Sequence, residues 1–254
     1  MQCVVDKKRI EKIVVCGNHI CYYRYLYPIS VEKKEKRNIF DFCCFDDEKE
    51  KVKREDNLLR ARRKIREIIW TNEVENTKFI TLTYKNTELN LDNVIYDFKL
   101  FIKNLKNNGY SNLKYLYVTE HQKKRGLKEN NKGSLHIHAV IFYSDKIPVK
   151  LIEKCWGKGF VKINSVKQVN NLGAYVCKYL SKEEFEEFYK NSYHLSRNLE
   201  KPLELYTEGY AGTYGENYEK ILSKVKWTYS DTVNINVNNY ENSILYKQGV
   251  FIDD

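Results

Sequence analysis

The sequence predicts an α+β fold, an antiparallel sheet of the split βαβ kind with helices on one face. Three observations carry that expectation. FITLTYK (79–85), LKYLYVTE (113–120), SLHIHAVIFY (134–143) and GFVKIN (159–164) are short and rich in β-branched and aromatic residues, as strands are. Leu91, Ile95, Phe98, Ile102 and Leu105 recur at helical spacing between the first and second of these. Pro148 opens a short helix, VKLIEKCW, between the third and fourth. The order is therefore β-α-β-β-α-β, and a further helix runs from about Asn171 through LGAYVCKYLSKEEFEEF.

Each element has a local reason. Residues 1–57 alternate β-like pieces, KIVVC and HICYYRYLY, with the charge-dense stretch Asp46–Asp56, and no helix period persists there. Asn57 can cap LLRARRKIREIIW, which places Leu58, Ile65 and Ile69 on one face. Arg60, Arg62, Arg63, Lys64 and Arg66 crowd the rest, as either a solvated face or a basic helix along phosphates. Asn90 or Asp92 caps the helix over 91–105, and NNGY (107–110) stops it. A polar connection, QKKRGLKENNKG, joins the second and third strands as antiparallel neighbours. Three segments result: a β-rich extension over 1–57, a core over 58–202, and a Tyr-rich extension over 203–254 that packs on the core.

The chain has 254 residues, 42% apolar and 31% charged, enough for a sizeable core under a soluble surface. No apolar run is long enough to span a membrane, and MQCVVDKKRI lacks the apolar centre of a signal peptide. Seven irregularly spaced cysteines read as reduced thiols, so a cytoplasm is expected. The formal charge is +10, and it is uneven. Residues 201–254 hold five basic and eight acidic residues, while 1–200 carry a net of +13. A polyanionic partner is expected on the first four-fifths of the chain.

His136-Ile137-His138 is the sharpest chemical signal. Residues two apart on a strand share a face, so these imidazoles either pack across strands or converge on a cation. Glu120, at the end of the neighbouring strand, is the third candidate ligand, with His121 the competitor on the opposite side. Two histidines and one carboxylate with open positions favour Mg or Mn over a closed zinc site. The second signal is AYVCKYLSK. Tyr175 and Tyr179 are four apart on one helical face, as are Lys178 and Lys182. Such a tyrosine pair is either core packing or, beside a metal, a nucleophile for a phosphodiester, with a lysine neutralising charge.

Together these segments resemble the HUH endonuclease superfamily, specifically the rolling-circle replication initiators of small phages and plasmids. FITLTY, YLYVTEHQKKRG, SLHIHAVIF, CWGKGFVKI, GAYVCKYLSK and YHLSRNLEKP carry the resemblance, in the family's order, over residues 58–202. The resemblance implies an HUH nicking and joining domain with His136, His138 and Glu120 as metal ligands. It implies Tyr175 as the nicking nucleophile, Lys178 as its companion, and Tyr179 as the second tyrosine of two-tyrosine initiators. The implied product is a 5′-phosphotyrosyl DNA with a free 3′-hydroxyl.

The expected partners are single-stranded DNA or an origin hairpin in a bacterial host cell, met by Arg60, Arg62, Arg63, Lys64, Arg66, Lys182 and Arg197. With no GxxxxGK[ST] loop, helicase and polymerase are expected from the host or a separate gene. Rival readings are a relaxase or HUH transposase with the same chemistry, and a non-catalytic RRM-like module binding single-stranded DNA or RNA.

Departures from the family are the long insert GLKENNKG and the irregular Cys3, Cys16, Cys21, Cys43 and Cys44, read as buried thiols or a zinc knuckle. Ser196 has no derivable chemical role. Tyr206, Tyr210, Tyr214 and Tyr218 are spaced as on a helix, though glycines interrupt them, and read as packing or as a base-stacking platform.

Overall fold

A computed structural model describes residues 8–30, 47–121, 133–165, 171–180, 193–208, 216–237 and 240–252. The chain divides into two units, Asp47–Glu200 and the combined flanks Met1–Asp46 with Lys201–Asp254. Each contains a five-stranded antiparallel sheet, and the described residues form five helices.

The central unit opens with α1, Asp47–Asn72. The helix thus starts ten residues before the expected cap at Asn57. The sequence offers a reason: residues 47–56 are rich in Glu, Lys and Arg, which have high helix propensity. Then follow β3 (Lys78–Leu82), α2 (Leu91–Asn107), β4 (Lys114–His121), β5 (Leu135–Phe142), α3 (Val149–Trp156), β6 (Val161–Ser165), α4 (Leu172–Cys177) and β7 (Tyr193–Leu195). The strand order is β6-β3-β5-β4-β7. Asn90 caps α2 as expected, accepting from the amides of Asp92 (2.8 Å) and Asn93 (3.4 Å). Pro148 opens α3, and Gly157 closes it at φ 59°, a left-handed position that glycine adopts without strain.

The expectation of helices on one face fails. Ile80, Leu82, Tyr117, Ile137, Ala139 and Ile141 face Val94, Phe98 and Phe101 of α2 and Ile152 and Trp156 of α3. On the other side Phe79, Leu116, Val118, Val140 and Phe142 face Leu58, Ala61, Ile65 and Ile69 of α1 and Leu172 and Val176 of α4. The unbroken apolar run Ala139-Val140-Ile141-Phe142 is the reason, because a strand that is apolar on both sides must be covered on both.

The flanking unit comprises β1 (Lys8–Cys16), β2 (His19–Ser30), β8 (Leu203–Glu208), α5 (Glu216–Ser223), β9 (Val225–Val237) and β10 (Tyr240–Phe251). Its strand order, β8-β1-β2-β10-β9, pairs the two ends of the chain with each other. Ile13, Ile20, Tyr22 and Val225 form its core, with Leu205, Ile221, Trp227 and Leu245 against them. Tyr206 therefore lies on a strand, which corrects the helical reading at that position. It stands across from Lys12, whose ammonium sits 5.5 Å from its ring, and cross-strand pairing replaces the four-residue helical repeat there. Tyr218 falls within α5, whereas Tyr210 and Tyr214 lie outside the described residues, as do Cys3, Cys43, Cys44 and the insert GLKENNKG. Cys16 and Cys21 are buried, and Cys21 Sγ lies 3.5 Å from the Tyr246 hydroxyl.

Candidate active site

The β4–β5 pairing sets the candidate ligands against each other. Glu120 stands opposite His136 and Val118 opposite His138, while Thr81 of β3 faces His138 from the other side. Alternation directs Ile137 into the α2 core and leaves the two imidazoles on the side covered by α1 and α4. Leu116, Val140 and Phe79 fill the covered part of that side. The polar residues occupy the adjoining rows, with the Glu120 side chain 28% exposed and that of His138 5%.

His138 is held at both ring nitrogens. Its Nε2 lies 2.9 Å from Glu120 Oε2, and its Nδ1 lies 3.1 Å from Thr81 Oγ1. His136 is half-buried, its ring 6.4 Å from that of His138. His121 is turned away from the pair, donating from Nδ1 to the Gly133 carbonyl at 2.9 Å. Among the described residues, no three His, Cys, Asp or Glu side chains close around a common point in this arrangement. The donor chemistry nevertheless fits a hard divalent cation. Glu120 offers a carboxylate oxygen, and His136 and His138 offer imidazole nitrogens on the same face.

The tyrosines arrive on α4 and the turn behind it. Asn171 caps the helix, its Oδ1 accepting from Ala174 N at 2.9 Å. Gly173 permits the close crossing with α1: a Cβ there would lie 2.8 Å from Arg66 Cγ and 2.9 Å from Arg66 Cα. The sequence reading carries the helix through Phe188, of which residues 181–188 lie outside the described residues. The described α-helix ends at Cys177, and the amides of Lys178, Tyr179 and Leu180 bond three residues back, to Tyr175, Val176 and Cys177. That tightened turn still brings the phenols together, Tyr179 donating to the Tyr175 hydroxyl oxygen at 2.9 Å.

Aromatic packing links the two halves of the site. The Tyr179 ring stacks on His138 at 3.7 Å between centroids, with planes 19° apart. Phe79 lies beneath both tyrosines, edge-on to Tyr175 at 5.1 Å and stacked near Tyr179 at 5.6 Å. Burial, then the Tyr175 hydroxyl and the nearby Glu120 charge, pushes the Tyr179 phenol well above its ordinary value. Tyr179 thus stays a protonated donor at neutral pH. Lys178 is exposed, with its ammonium 5.7 Å from the Tyr175 ring.

The basic residues of α1 separate into two groups. Arg60, Arg63 and Lys64 are exposed. Arg62 donates from Nε and Nη2 to the Leu180 carbonyl at 3.2 and 2.8 Å, and Cys177 Sγ lies 3.3 Å from the Arg62 carbonyl. Arg66 is half-buried over Trp70, 5.2 Å from its ring. Arg62 therefore ties the tyrosine turn to α1, a function no sequence period announces. Arg197 is exposed, and Lys182 lies outside the described residues. Ser196 prolongs the β4–β7 pairing, its Oγ accepting from Tyr115 N at 3.0 Å and its own amide donating to Tyr115 O at 2.9 Å. Phe79 and Thr81 join the site without a motif to mark them. Their shared face is legible in FITLTYK, but their register against His138 is not.

No curated protein and no solved structure matches the chain. Residues 77–184, running from β3 past both tyrosines, match the family model of the replication-associated proteins ORF2 and gene-2 protein. That segment, less than half of the chain, is similar to this family of phage rolling-circle replication initiators.

Proposed function

We propose that the protein initiates rolling-circle replication by nicking single-stranded DNA at a specific site and later rejoining it. One observation carries the reading: the Tyr175–Tyr179 hydroxyl pair is packed through the Tyr179 ring onto His138, which is bonded to Glu120. The nucleophile and the candidate cation ligands thus share one site. The succession β3-α2-β4-β5-α3-β6 and the order β6-β3-β5-β4 support a split βαβ core of the HUH type.

Tyr175 loses its proton and its oxygen attacks the phosphorus of one phosphodiester. A P–O bond to Tyr175 forms as the P–O3′ bond breaks. The 3′ oxygen leaves with the bond pair and takes up a proton, giving a 5′-phosphotyrosyl end and a free 3′-hydroxyl. Joining is the reverse attack by a 3′-hydroxyl. Tyr179 donates its hydrogen bond to the Tyr175 oxygen and so lowers the cost of forming phenolate, and it is the second tyrosine available for a later transfer. Lys178 offsets charge on the phosphate.

Glu120, His136 and His138 would hold a divalent ion, Mg or Mn, which when bound draws electron density from the scissile phosphate. The exposed Arg60, Arg63, Lys64 and Arg197 lead the strand or an extruded origin hairpin along the surface. Unwinding and synthesis fall to a helicase and polymerase of the bacterial host or of a separate gene, in the cytoplasm.

The test incubates the full chain with labelled origin-strand oligonucleotides and Mn²⁺ and resolves the products on a denaturing gel. A covalent adduct is expected that is lost in Tyr175→Phe and in His136→Ala. DNA binding with no adduct across a pool of origin sequences would leave the non-catalytic reading standing in its place. An adduct that survives Tyr175→Phe and disappears in Tyr179→Phe moves the nucleophile to Tyr179.

A further inference from the structure

Thr81 faces His138 across the β3–β5 ladder, and its hydroxyl oxygen lies 3.1 Å from His138 Nδ1. The opposite ring nitrogen is engaged by Glu120 at 2.9 Å, and one face of the ring is stacked by Tyr179. The two ring nitrogens therefore define how the imidazole is turned within its plane.

Glu120 as a carboxylate can only accept. In the neutral imidazole the proton then sits on Nε2, and Nδ1 must accept from the Thr81 hydroxyl. A cation taken up at Nε2 needs the lone pair there, so the ring proton moves to Nδ1 and Nδ1–H becomes the donor. A hydroxyl both donates and accepts, so Thr81 satisfies either tautomer by rotating one O–H bond. A carboxylate or carbonyl in its place would serve only the loaded tautomer.

We propose that Thr81 is a positioning residue for cation uptake, keeping His138 oriented while its proton transfers between ring nitrogens. The inference rests on the divalent-cation reading given above. Groups that orient a ligating imidazole typically change metal affinity about 10–100-fold when removed.

The test titrates Mn²⁺ into the full-length metal-free protein and follows the free-ion paramagnetic resonance signal, with no DNA present. Thr81→Val, which keeps the shape and removes the hydroxyl, is expected to weaken binding about 10–100-fold, and Thr81→Ser to stay within about threefold of wild type. Nitrogen-15 spectra of the wild-type histidines supply a measurement that does not depend on a variant folding. His138 is expected to carry its proton on Nε2 without metal and on Nδ1 with Mg²⁺. Equal Mn²⁺ affinity in wild type and Thr81→Val, or a tautomer unchanged by Mg²⁺, overturns the role of Thr81 alone. A wild-type protein that binds no Mn²⁺ overturns the cation reading, and this inference with it.

Discussion

The two faces of the β6-β3-β5-β4-β7 sheet are built from the same strands, yet they do different work. The face under α2 and α3 is filled by Phe98, Phe101, Tyr117, Ile137 and Trp156, and Phe98 meets Tyr115 edge-on and Tyr117 at a tilt. The face under α1 and α4 has an apolar core of its own, but its outer rows hold Thr81, Glu120, His136 and His138 with the two phenols of the tyrosine turn. Alternation along β5 alone separates Ile137 from His138. One face is thus devoted to stability and the other divides its area between stability and polar contacts. Substitutions on the two should give opposite patterns.

The largest expected effect is on the second face. Tyr175→Phe removes one hydroxyl and one hydrogen bond, so its folding stability should change by no more than about 1.5 kcal/mol. Its yield of covalent DNA adduct should fall on the order of 10³-fold or more. Phe98→Ala on the first face should do the reverse, costing about 3–5 kcal/mol in denaturant unfolding while the folded fraction still forms adduct. If Phe98→Ala loses adduct beyond its unfolded fraction, the two faces are coupled and the contrast fails.

A smaller effect is expected where α4 crosses α1. Gly173→Leu places side-chain atoms into the backbone and stem of Arg66, with the first added carbon already 2.8 Å from Arg66 Cγ. A loss of about 1–3 kcal/mol is expected, accompanied by reduced adduct because the tyrosine turn is displaced. Stability lost with adduct formation intact would show that the turn is positioned by Arg62 rather than by the crossing.

At neutral pH the smallest effect is one that emerges only in alkali. Burial pushes the Cys177 thiol up to about 11, against the partial offset of Arg66 and Arg62. An unfolded thiol ionises near about 8.5. The thiol form is the one the folded state favours, so its contribution is complete below about pH 8.5 and is lost as pH rises through about 11. The stability difference between wild type and Cys177→Ala should therefore move steadily against wild type from about pH 8.5 to about 11 in urea titrations. A difference that is flat over this range would mean that the thiol is solvated.

Much of the core unit is legible in the residues themselves. The Asn90 cap, the Pro148 start and the four strand segments follow from local chemistry that acts within a few residues, and the His136–His138 pair follows from strand alternation. Alternation also puts Glu120 on the histidine face, whereas its register opposite His136 is set by the β4–β5 pairing, because the long connection leaves several registers open. What escapes such reasoning depends on partners distant in sequence. Arg62, read as a phosphate ligand, is bonded to Leu180, 118 residues away.

By itself the sequence determined which side chains share a strand face, where α2, α3 and α4 begin, and that the cationic charge lies in the first 200 residues. The tertiary structure decided the rest. It joined the two chain ends in one sheet, covered the second face of the core sheet, and set Thr81 and Phe79 against His138. Those outcomes are contacts between segments far apart along the chain. Local propensity and periodicity carry no term for them, and burial of apolar surface on both sides of β5 is what selects them.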